Sequence, residues 1–441
     1  NIRRNQKNNR RIMAIFLTQN GEPSEYGLAY NDNAYVIKTT NYTPTVRFKI
    51  AMLPETYPVE PAIGTVRVYP TRADDGGTVY LDRGFFDPSR FLQSYVEGNA
   101  RIEGASHNGF FVNNKTHKEY ALFIQEEEKN ASGIYVGGDS IFTKLKSVWN
   151  GVRNEIEWLD FDYTDYTINT ASTTKKFLTD SPRTIRIDSA QSHDLSFIVN
   201  EKYGANQYVV KAYSGYNATG SLLANGVVAN TTPSTDWASR YFRIPVGTYD
   251  IGNIDPTLYT DSTLGTTPST ALTGAASYTI HLEDNTNAQT SEKVTFNINQ
   301  TCSKYTPVRV HWLNRLGGYD AFNFKMKSIE NTSIKKDKYD QQHHDWNGWR
   351  YDYTKKSRGT TDYNVSLNKK LTINTDYLTE AESVWMEDLI TSPSAYIEEG
   401  NELIAVNLDD SKIQRKTSLN DKLMQYTFEL SYSIKNRRQR G

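Results

Sequence analysis

The feature that most constrains this chain is a two-residue alternation of apolar and polar side chains in many short runs, separated by Pro, Gly, Asn and Asp clusters. Successive side chains of a β-strand point to opposite faces, so this period predicts half-buried strands. In the first part of the chain such runs cover residues 34–37, 45–53, 65–69, 78–81, 109–112 and 119–124. Further along they cover residues 184–187, 195–199, 208–213, 277–282, 294–298, 308–313, 322–326, 364–367, 370–373, 403–408 and 423–434. The sequence therefore predicts an all-β protein.

One interruption of this alternation predicts a short helix near residue 90. Asp87 is a good N-cap residue, and Pro88 suits the first helical position. Gly98 stands where a C-cap glycine would. One helical face would carry the apolar side chains of Phe91, Leu92, Tyr95 and Val96.

A second interruption predicts a helix that begins near residue 380. Thr379 and Glu382 have the spacing of a capping box, and Ser392-Pro393 marks the end of the helix. The predicted apolar stripe of this helix contains Val384, Trp385 and Leu389. The predicted fold class is thus an all-β, multi-domain protein of β-sandwich or related β-rich architecture with two short helices.

At 441 residues the chain is too long for one compact domain, because single cores stop growing near about 250–300 residues. Residues 1–12 are a basic arm, and the Met13 that follows would be a natural start of a protein. We expect an N-terminal β-rich domain over residues 13–175. A shift to Ser, Thr, Asn and Gly predicts an inserted β-sandwich over 176–305 that projects from the rest, with an exposed loop at 255–275. Residues 306–441 form a C-terminal β domain with one helix and a basic tail.

Composition excludes several classes of protein. Fifty Lys and Arg against 51 Asp and Glu give a formal net charge of -1, so no overall field favours specific nucleic-acid binding or an anionic membrane. The single cysteine, Cys302, excludes an internal disulfide and a multi-cysteine metal site. No apolar stretch approaches the roughly 20 residues of a membrane span, and no signal-peptide core is present. We therefore expect a soluble protein.

One pair of short motifs suggests hydrolase chemistry. Residues 138–141 and 340–343 echo the nucleophile and Asp-x-x-His blocks of Gly-Asp-Ser-Leu hydrolases, with Ser140 and His343 as the reacting pair. That chemistry needs the serine on a turn between a buried parallel strand and a helix, and an oxyanion hole beside it. This β-rich sequence offers neither, so we predict no catalytic residue and no enzymatic activity.

Metal-ligand patterns are equally weak. His343 and His344 are adjacent in an extended segment, and adjacent side chains of such a segment point to opposite sides. Asp160, Asp162 and Asp165 lack the turn glycine and the distal bidentate Glu of a calcium loop. No glycine-rich phosphate loop is present either. We expect no metal site and no cofactor.

Residues 345–353 gather Trp and Tyr side chains in a polar, Gly-containing context. Exposed Trp and Tyr favour protein interfaces or sugar faces, because each offers a large rigid surface with a polar group. The segment could equally be a hairpin in the core. In the first case Trp346 and Trp349 are the candidate interface residues.

Four segments of the chain carry a resemblance to a known family. They are residues 86–95 (FDPSRFLQSY), 311–324 (HWLNRLGGYDAFNF), 378–385 with 390–393 (LTEAESVW and ITSP), and 420–427 (NDKLMQYT). In this order they resemble a family of virion structural proteins from phages of Bacteroidota hosts, including crAss-like phages, and marine relatives. The resemblance spans roughly residues 13–125 and 306–441, and the middle domain matches nothing in it.

The resemblance implies a building block of the neck, collar or tail of a short-tailed phage, assembled as a symmetric ring and not an enzyme. Its expected partners are copies of itself, the portal, and neighbouring ring or tail proteins. Its expected location is the virion, and the host cytoplasm during assembly. The family supplies no catalytic residues to carry over.

Contacts between subunits of such a ring would use strand addition at open sheet edges, the aromatic anchors and the two basic ends. The basic candidates are Arg3, Arg4, Arg10, Arg11, Arg437, Arg438 and Arg440. Arg315 is a further candidate, in a segment where Trp312 and Leu316 would be core residues before a glycine turn. Its carboxylate partner could lie across a subunit contact or in an internal ion pair.

An alternative function is binding of a host glycan or receptor by the middle β-sandwich. Its candidate binding residues are the aromatic side chains Tyr213, Tyr216, Trp237 and Tyr241. Binding of a glycan array by this domain would favour the alternative.

Overall fold

A computed structural model gives the fold of the chain. It describes residues 15–18, 21–40, 42–55, 58–71, 73–75, 78–98, 111–112, 115–168, 173–200, 207–220, 222–229, 239–252, 272, 274–284, 286–299, 303–342, 345–346, 348–352, 354–400, 402–409 and 424–434. Strands dominate these residues, which confirms the predicted all-β class. Most of the 255–275 loop predicted from composition lies outside the described residues.

The N-terminal part consists of strands with two short helices. In chain order its elements are β1 (Ile15–Leu17), β2 (Tyr26–Leu28), β3 (Tyr35–Thr39), β4 (Arg47–Pro54), β5 (Gly64–Val68), β6 (Ala73–Asp75), β7 (Thr78–Tyr80), β8 (Arg83–Phe86), α1 (Ser89–Tyr95), β9 (Phe111–Val112), β10 (His117–Lys129), β11 (Tyr135–Phe142), β12 (Lys146–Trp149), α2 (Glu155–Leu159) and β13 (Thr167–Ile168). One sheet has the order β1-β3-β8, and another the order β2-β12-β10-β4-β5 with β11 on β10. The inward residues of both sheets share a core that includes Tyr35, Phe48 and Leu122.

Helix α1 is present where the sequence predicts it, but both of its ends differ from the prediction. It begins at Ser89 with Pro88 as its N-cap residue and without a side-chain cap, so the prediction of Asp87 as the N-cap is wrong. Asp87 Oδ1 accepts from the Ser89 amide at 3.0 Å just before the helix. The helix ends at the extended residue Val96, so the prediction that Gly98 caps it is wrong. Gly98 instead lies against the side chain of Leu313, where a Cβ atom would be 3.0 Å from Leu313 Cδ2.

The middle part is a two-layered β-sandwich. Its elements are β14 (Thr184–Ile187), β15 (Asp194–Asn200), β16 (Gln207–Ser214), β17 (Leu222–Ala229), β18 (Ser239–Pro245), α3 (Thr248–Gly252), β19 (Ser277–Asp284) and β20 (Val294–Ile298). The sheets have the orders β13-β15-β18-β9 and β14-β20-β19-β16-β17. Phe197 and Phe242 of the first sheet share one core with Ile185 and Phe296 of the second. Strands β9 and β13 precede residue 176, so strand pairing crosses the predicted domain boundary.

The C-terminal part is one large antiparallel sheet with a helix on it. Its elements are β21 (Val308–Leu313), β22 (Tyr319–Phe324), β23 (Ile329–Asp340), β24 (Asp345–Trp346), β25 (Tyr351–Asp352), β26 (Thr360–Asn374), α4 (Glu380–Thr391), β27 (Ala395–Glu399), β28 (Glu402–Leu408) and β29 (Thr427–Tyr432). The sheet has the order β22-β21-β27-β28-β29-β26-β23. β24 and β25 form a separate two-stranded sheet.

Helix α4 confirms the predicted capping box and covers one face of this sheet. The Glu382 amide donates to Thr379 Oγ1, and the Thr379 amide donates back to the Glu382 carboxylate at 2.9 Å. Trp385 is buried against Trp312, with ring centroids 5.1 Å apart. Val384 is exposed, so its predicted place on the buried stripe is wrong. Helices α2 and α3 are additional to the two predicted ones, because five residues are too few for a helical period to show.

The three parts meet in a shared apolar cluster. Leu28 and Trp149 of the N-terminal part pack with Ile198 and Tyr241 of the sandwich and with Leu316 of the C-terminal part. The Tyr241 hydroxyl donates to the carbonyl of Gly317 at 2.9 Å. The sandwich is therefore attached to both other parts at its base, and its projection from them stays a prediction. None of the helices in the described ranges is both long and apolar enough to cross a membrane.

Candidate functional site

The edge of the C-terminal sheet extends into a two-stranded arm. β23 and β26 pair over their whole length, from Ile329 opposite Thr372 to Asp340 opposite Thr360. β26 contacts β29 only over residues 370–374. Residues 332–340 and 360–369 thus form a ribbon, which we call the arm and which no third described strand joins. At about 3.3 Å per residue the arm is roughly 30 Å long.

One face of the arm carries an apolar stripe. Leu371 and Ile373 of β26 are buried in the core of the sheet. Leu367 and Val365 follow on the same face, two residues apart, and lie beyond that core. Ile334 lies directly opposite Leu367 and is 55% exposed. Isolated hairpins are marginal in water, so exposed apolar side chains along such a ribbon indicate a surface that another surface covers.

The arm leads to a tight hairpin with an exposed tryptophan, which we call the arm tip (residues 345–352). β24 and β25 pair through Asp345 opposite Asp352, and Gly348 in the turn between them has a φ of +85°. Trp349 is 95% exposed, so it is not part of a core hairpin, the alternative that the sequence left open. The Trp346 backbone lies in β24, and its side chain is outside the described residues.

The basic ends predicted to contact neighbours fall on the termini of the chain. All of these candidates, Arg3, Arg4, Arg10, Arg11, Arg437, Arg438 and Arg440, lie outside the described residues. Their role stays a prediction.

Arg315 lies where the N-terminal part, the sandwich and α4 meet. Its guanidinium contacts three carboxylates of the same chain: Glu157 Oε2 at 3.1 Å, Asp180 Oδ2 at 3.5 Å and Asp388 Oδ1 at 2.6 Å. Arg153 forms a bidentate pair with Asp180 at 2.6 and 2.7 Å. Arg315 is therefore paired with carboxylates of its own chain at the interdomain junction, which is the internal ion pair among the two alternatives that the sequence left open.

The junction holds more acidic than basic groups. Two guanidinium groups, those of Arg153 and Arg315, face four carboxyl groups, those of Glu157, Asp180, Asp320 and Asp388. Burial and the neighbouring Asp180 and Asp320 outweigh Arg315 and raise the pKa of Asp388 to about 7. Burial also raises the pKa of Asp320 to about 6, against the hydrogen bond from Trp385 Nε1. One of these carboxyl groups is thus partly protonated near neutral pH.

The excess of carboxyl groups over guanidinium groups at the junction predicts that the stability of the fold depends on pH. Because folded Asp388 binds its proton more tightly than the unfolded chain does, the free energy of unfolding rises as pH falls through 7. From pH 8 to pH 6.5 the gain is about 1 kcal/mol. Below pH 6.5 the buried histidines His117 and His311 have the opposite effect on the free energy of unfolding, because burial lowers their pKa values. Urea denaturation at both pH values measures the change.

Asp388→Asn removes the titrating carboxyl group and should therefore abolish most of this pH dependence. In this variant Arg315 keeps its contacts with Glu157 and Asp180. Asp160→Asn, an exposed carboxylate outside the network, is the matched control and should keep the wild-type slope. Equal slopes for the two variants would contradict the assignment to Asp388.

A groove opens at the surface of this junction, between α1, the segment after β12, and the end of α4. Its volume is about 790 Å³. We call it the junction groove. Its apolar and aromatic lining includes Tyr30, Val96, Val152, Leu313, Pro393 and Tyr396. Arg315 and Asp388 also line it. Concave, mostly apolar clefts with a few polar groups are the usual form of a binding site in proteins.

An acidic segment with exposed apolar side chains borders the junction groove. Arg153 and Asn154 line the groove, and Asn154 Oδ1 caps α2 by accepting from the Glu157 amide at 2.8 Å. In α2, Ile156 is 78% exposed and Leu159 is 84% exposed. Residues 154–165, which we call the acidic segment, contain five Asp or Glu and no Lys or Arg. This surface can bind a basic partner that also carries apolar side chains.

The hydrolase and metal candidates do not assemble into a site within the described residues. Ser140 is an exposed residue of β11, opposite Gln125, and not on a strand-to-helix turn. His343 and His344 lie outside the described residues. Asp162 caps a turn by accepting from the Thr164 amide, and Asp165 pairs with Lys176 at 2.8 Å. The described ranges contain no group of three His, Cys, Asp or Glu that could hold a metal ion.

The aromatic candidates for glycan binding lie in different environments in the structure. Tyr241 is buried at the junction, so its predicted place on a glycan-binding surface is wrong. Tyr213 stacks on His281 with ring centroids 5.3 Å apart. Tyr216 is exposed, and Trp237 lies outside the described residues. Among the three described side chains, buried Tyr241 therefore does not share a surface with Tyr216.

Comparisons with known proteins give no family. No family model matches the chain, and no curated protein matches it. Among solved structures, the chain is similar to the FN1–FN3 domains of chicken CNTN1, at 10% identity and a TM-score of 0.17, over 81% of this chain and 91% of that one. It is also similar to a protein of unknown function from Porphyromonas gingivalis W83, at 8% identity and a TM-score of 0.14, over 65% of this chain and 99% of that one. With TM-scores this low, neither likeness bears on function.

Proposed function

We propose that this chain is a structural subunit of a phage virion that forms part of a symmetric ring in the neck, collar or tail. The observation that carries the proposal is the arm, a ribbon of about 30 Å with an apolar stripe and an exposed Trp349 beyond its end. A subunit of this shape buries its apolar surface only against another molecule. The family resemblance gives the class of assembly.

Two of the segments that carry the resemblance line the junction groove. Residues 311–324 form the end of β21, the turn after it and β22, and residues 390–393 lie at the end of α4. Both contribute lining residues, including Leu313 and Pro393. Val96, another lining residue, directly follows the segment at 86–95. The resemblance and the groove thus involve the same part of the molecule, which supports a shared role in assembly.

In this proposal the partners are copies of the same chain, the portal, and neighbouring ring or tail proteins, and the location is the virion. Identical subunits that join through two different surfaces build a ring when the rotation between them closes. The arm supplies one such surface, and the second must lie elsewhere on the chain.

The proposal predicts a fixed copy number in purified virions. We expect quantitative mass spectrometry to find the protein at a ring-sized multiple relative to the portal. Light scattering of the purified protein gives its mass in solution for comparison. Absence from virions, with a stable monomer in solution, would overturn the proposal. A glycan array probed with the full chain would then test the alternative function.

A further inference from the structure

We propose that the arm tip of one copy docks into the junction groove of the next copy in the ring, with Trp349 as its anchor. The inference rests on the proposed ring, and it adds the two surfaces that join neighbouring subunits.

The arm tip has the form of an anchor for a protein interface. Trp349 follows Gly348 at the turn of the hairpin and is 95% exposed, so it is not seated in the groove of its own chain. Tryptophan is among the residues that dominate binding energy, because its large rigid surface fills a pocket on the partner. A tryptophan presented on a short, tight hairpin also loses little conformational freedom on binding.

The junction groove has the size and lining to accept this side chain. Its volume of about 790 Å³ lies within the range of clefts that hold small ligands. Val152, Leu313 and Pro393 offer apolar contacts, and Tyr396 offers a ring face. The Asp388 carboxyl also lines the groove, but it is almost fully buried, so the contacts offered to the tip are the apolar and aromatic ones.

The charges of the two surfaces are complementary. The tip itself contains Arg350 and two Asp, and residues 354–358 directly after it add Lys355, Lys356 and Arg358 and no acidic residue. The acidic segment beside the groove contains five Asp or Glu and no basic residue. Complementary potentials of this kind guide association and fix the register of two partners. The basic residues after the tip therefore favour contact with the acidic segment over contact with the same basic residues of another copy.

Exposed apolar side chains are also present on both parts of the chain. Ile156 and Leu159 are exposed on the acidic segment, and Ile334 is exposed on the arm. The tip and the groove are different surfaces of the chain, so the contact is head-to-tail, as a ring requires.

Cysteine cross-linking of the full chain tests this contact directly. Arg350→Cys, which keeps the Trp349 anchor, and Val152→Cys are made in separate copies, mixed, assembled and oxidised. We expect a disulfide-linked dimer from the mixture and none from either variant alone, because a head-to-tail contact never brings two identical positions together. The unmodified chain, with Cys302, controls for the native thiol. Links from a single variant, or none from the mixture, would overturn the proposal.

Truncation of the anchor gives a second test. Trp349→Ala should weaken the association of subunits by about 30-fold or more, since a central tryptophan of an interface contributes at that level. Tyr216→Ala removes an exposed aromatic side chain from the sandwich and should leave association unchanged. Thermal unfolding should be the same for both variants. Rings with a wild-type copy number in Trp349→Ala virions would overturn the docking and leave the proposed ring intact, whereas absence of the wild-type protein from virions would overturn both.

Discussion

Replacing Arg309 by alanine is expected to lower the free energy of unfolding by about 3–5 kcal/mol, the usual cost of breaking a buried ion pair. Arg309 is fully buried between the sandwich and the C-terminal sheet. Its guanidinium donates to the Ser192 carbonyl at 2.9 and 2.6 Å and to Asn323 Oδ1 at 2.7 Å. Its Nε atom is 3.2 Å from Glu398 Oε2. One side chain thus joins a loop of the sandwich to two strands of the sheet.

The large cost arises because Arg309→Ala leaves buried polar groups without one of their partners. Arg309 and His311 lower the pKa of Glu398 against the effect of burial, so this carboxylate is ionised in the folded protein. Without Arg309 it would keep His311 Nε2, at 2.7 Å, and the Ser192 amide, at 3.4 Å, inside the protein. The Ser192 carbonyl would also lose its side-chain donor. Urea denaturation followed by tryptophan fluorescence measures the loss, and a separate transition of the sandwich would show that the two parts had come apart.

Arg67→Ala is the matched control, because it removes the same side chain from a half-exposed pair. Arg67 Nε is 3.3 Å from Glu127 Oε2, and such surface pairs contribute about 0–1 kcal/mol. The double variant Arg309→Met with Glu398→Leu should cost less than the sum of its single variants, since no uncompensated charge remains buried. If Arg309→Ala costs no more than Arg67→Ala, Arg309 does not hold the two parts together.

Strands with one buried face were predictable from the sequence, and strands with two exposed faces were not. The runs at 184–187, 294–298 and 308–313 match β14, β20 and β21 to the residue. In β23 every residue except Asp337 is exposed, so its sequence shows no alternation and predicts no strand. The two runs predicted at 364–367 and 370–373 are parts of the single strand β26. Hydrophobic periodicity reports burial, and the arm has too little of it to be detected.

Some residues of the candidate site were likewise predictable from the sequence, and others were not. The sequence places Trp312 and Leu316 in the core, and both are fully buried. It also selects Trp349, because an aromatic side chain in a polar, Gly-containing context is a local signal. The junction groove is formed by residues from Tyr30 to Tyr396, which only the fold brings together. Arg309 attracts no attention in the sequence for the same reason, since Ser192 is 117 positions away.

Replacing Trp385 by alanine is the second change expected to have a large effect, about 3–5 kcal/mol of unfolding free energy from the cavity alone. Trp385 is buried between α4 and the C-terminal sheet, against Trp312 and Phe322. Its Nε1 donates to Asp320 Oδ2 at 2.7 Å, so the variant also leaves a buried carboxylate with one donor fewer. We expect the thermal midpoint to fall by several degrees or more.

The phenylalanine variants separate the hydrogen bond from the packing. Trp385→Phe keeps an aromatic ring in the core and removes the donor to Asp320, at a cost of about 1.5–3 kcal/mol at pH 8 for the bond to a charged group. Trp312→Phe makes the same change beside it, but the Trp312 Nε1 atom has no hydrogen-bond partner in the described part of the chain. The excess cost of Trp385→Phe over Trp312→Phe at pH 8 therefore measures the bond to Asp320.

The pH dependence of that excess identifies the acceptor. Asp320, with its pKa raised to about 6, is ionised at pH 8 and mostly protonated at pH 5. Protonation removes the charge that Trp385 stabilises, so the excess cost of Trp385→Phe should shrink between pH 8 and pH 5. The Trp312→Phe cost should change much less over that range. An excess that is equal at both pH values would mean that Trp385 stabilises α4 by packing alone, and that Asp320 is held by its other donors, Asn314 Nδ2 at 3.0 Å and Thr179.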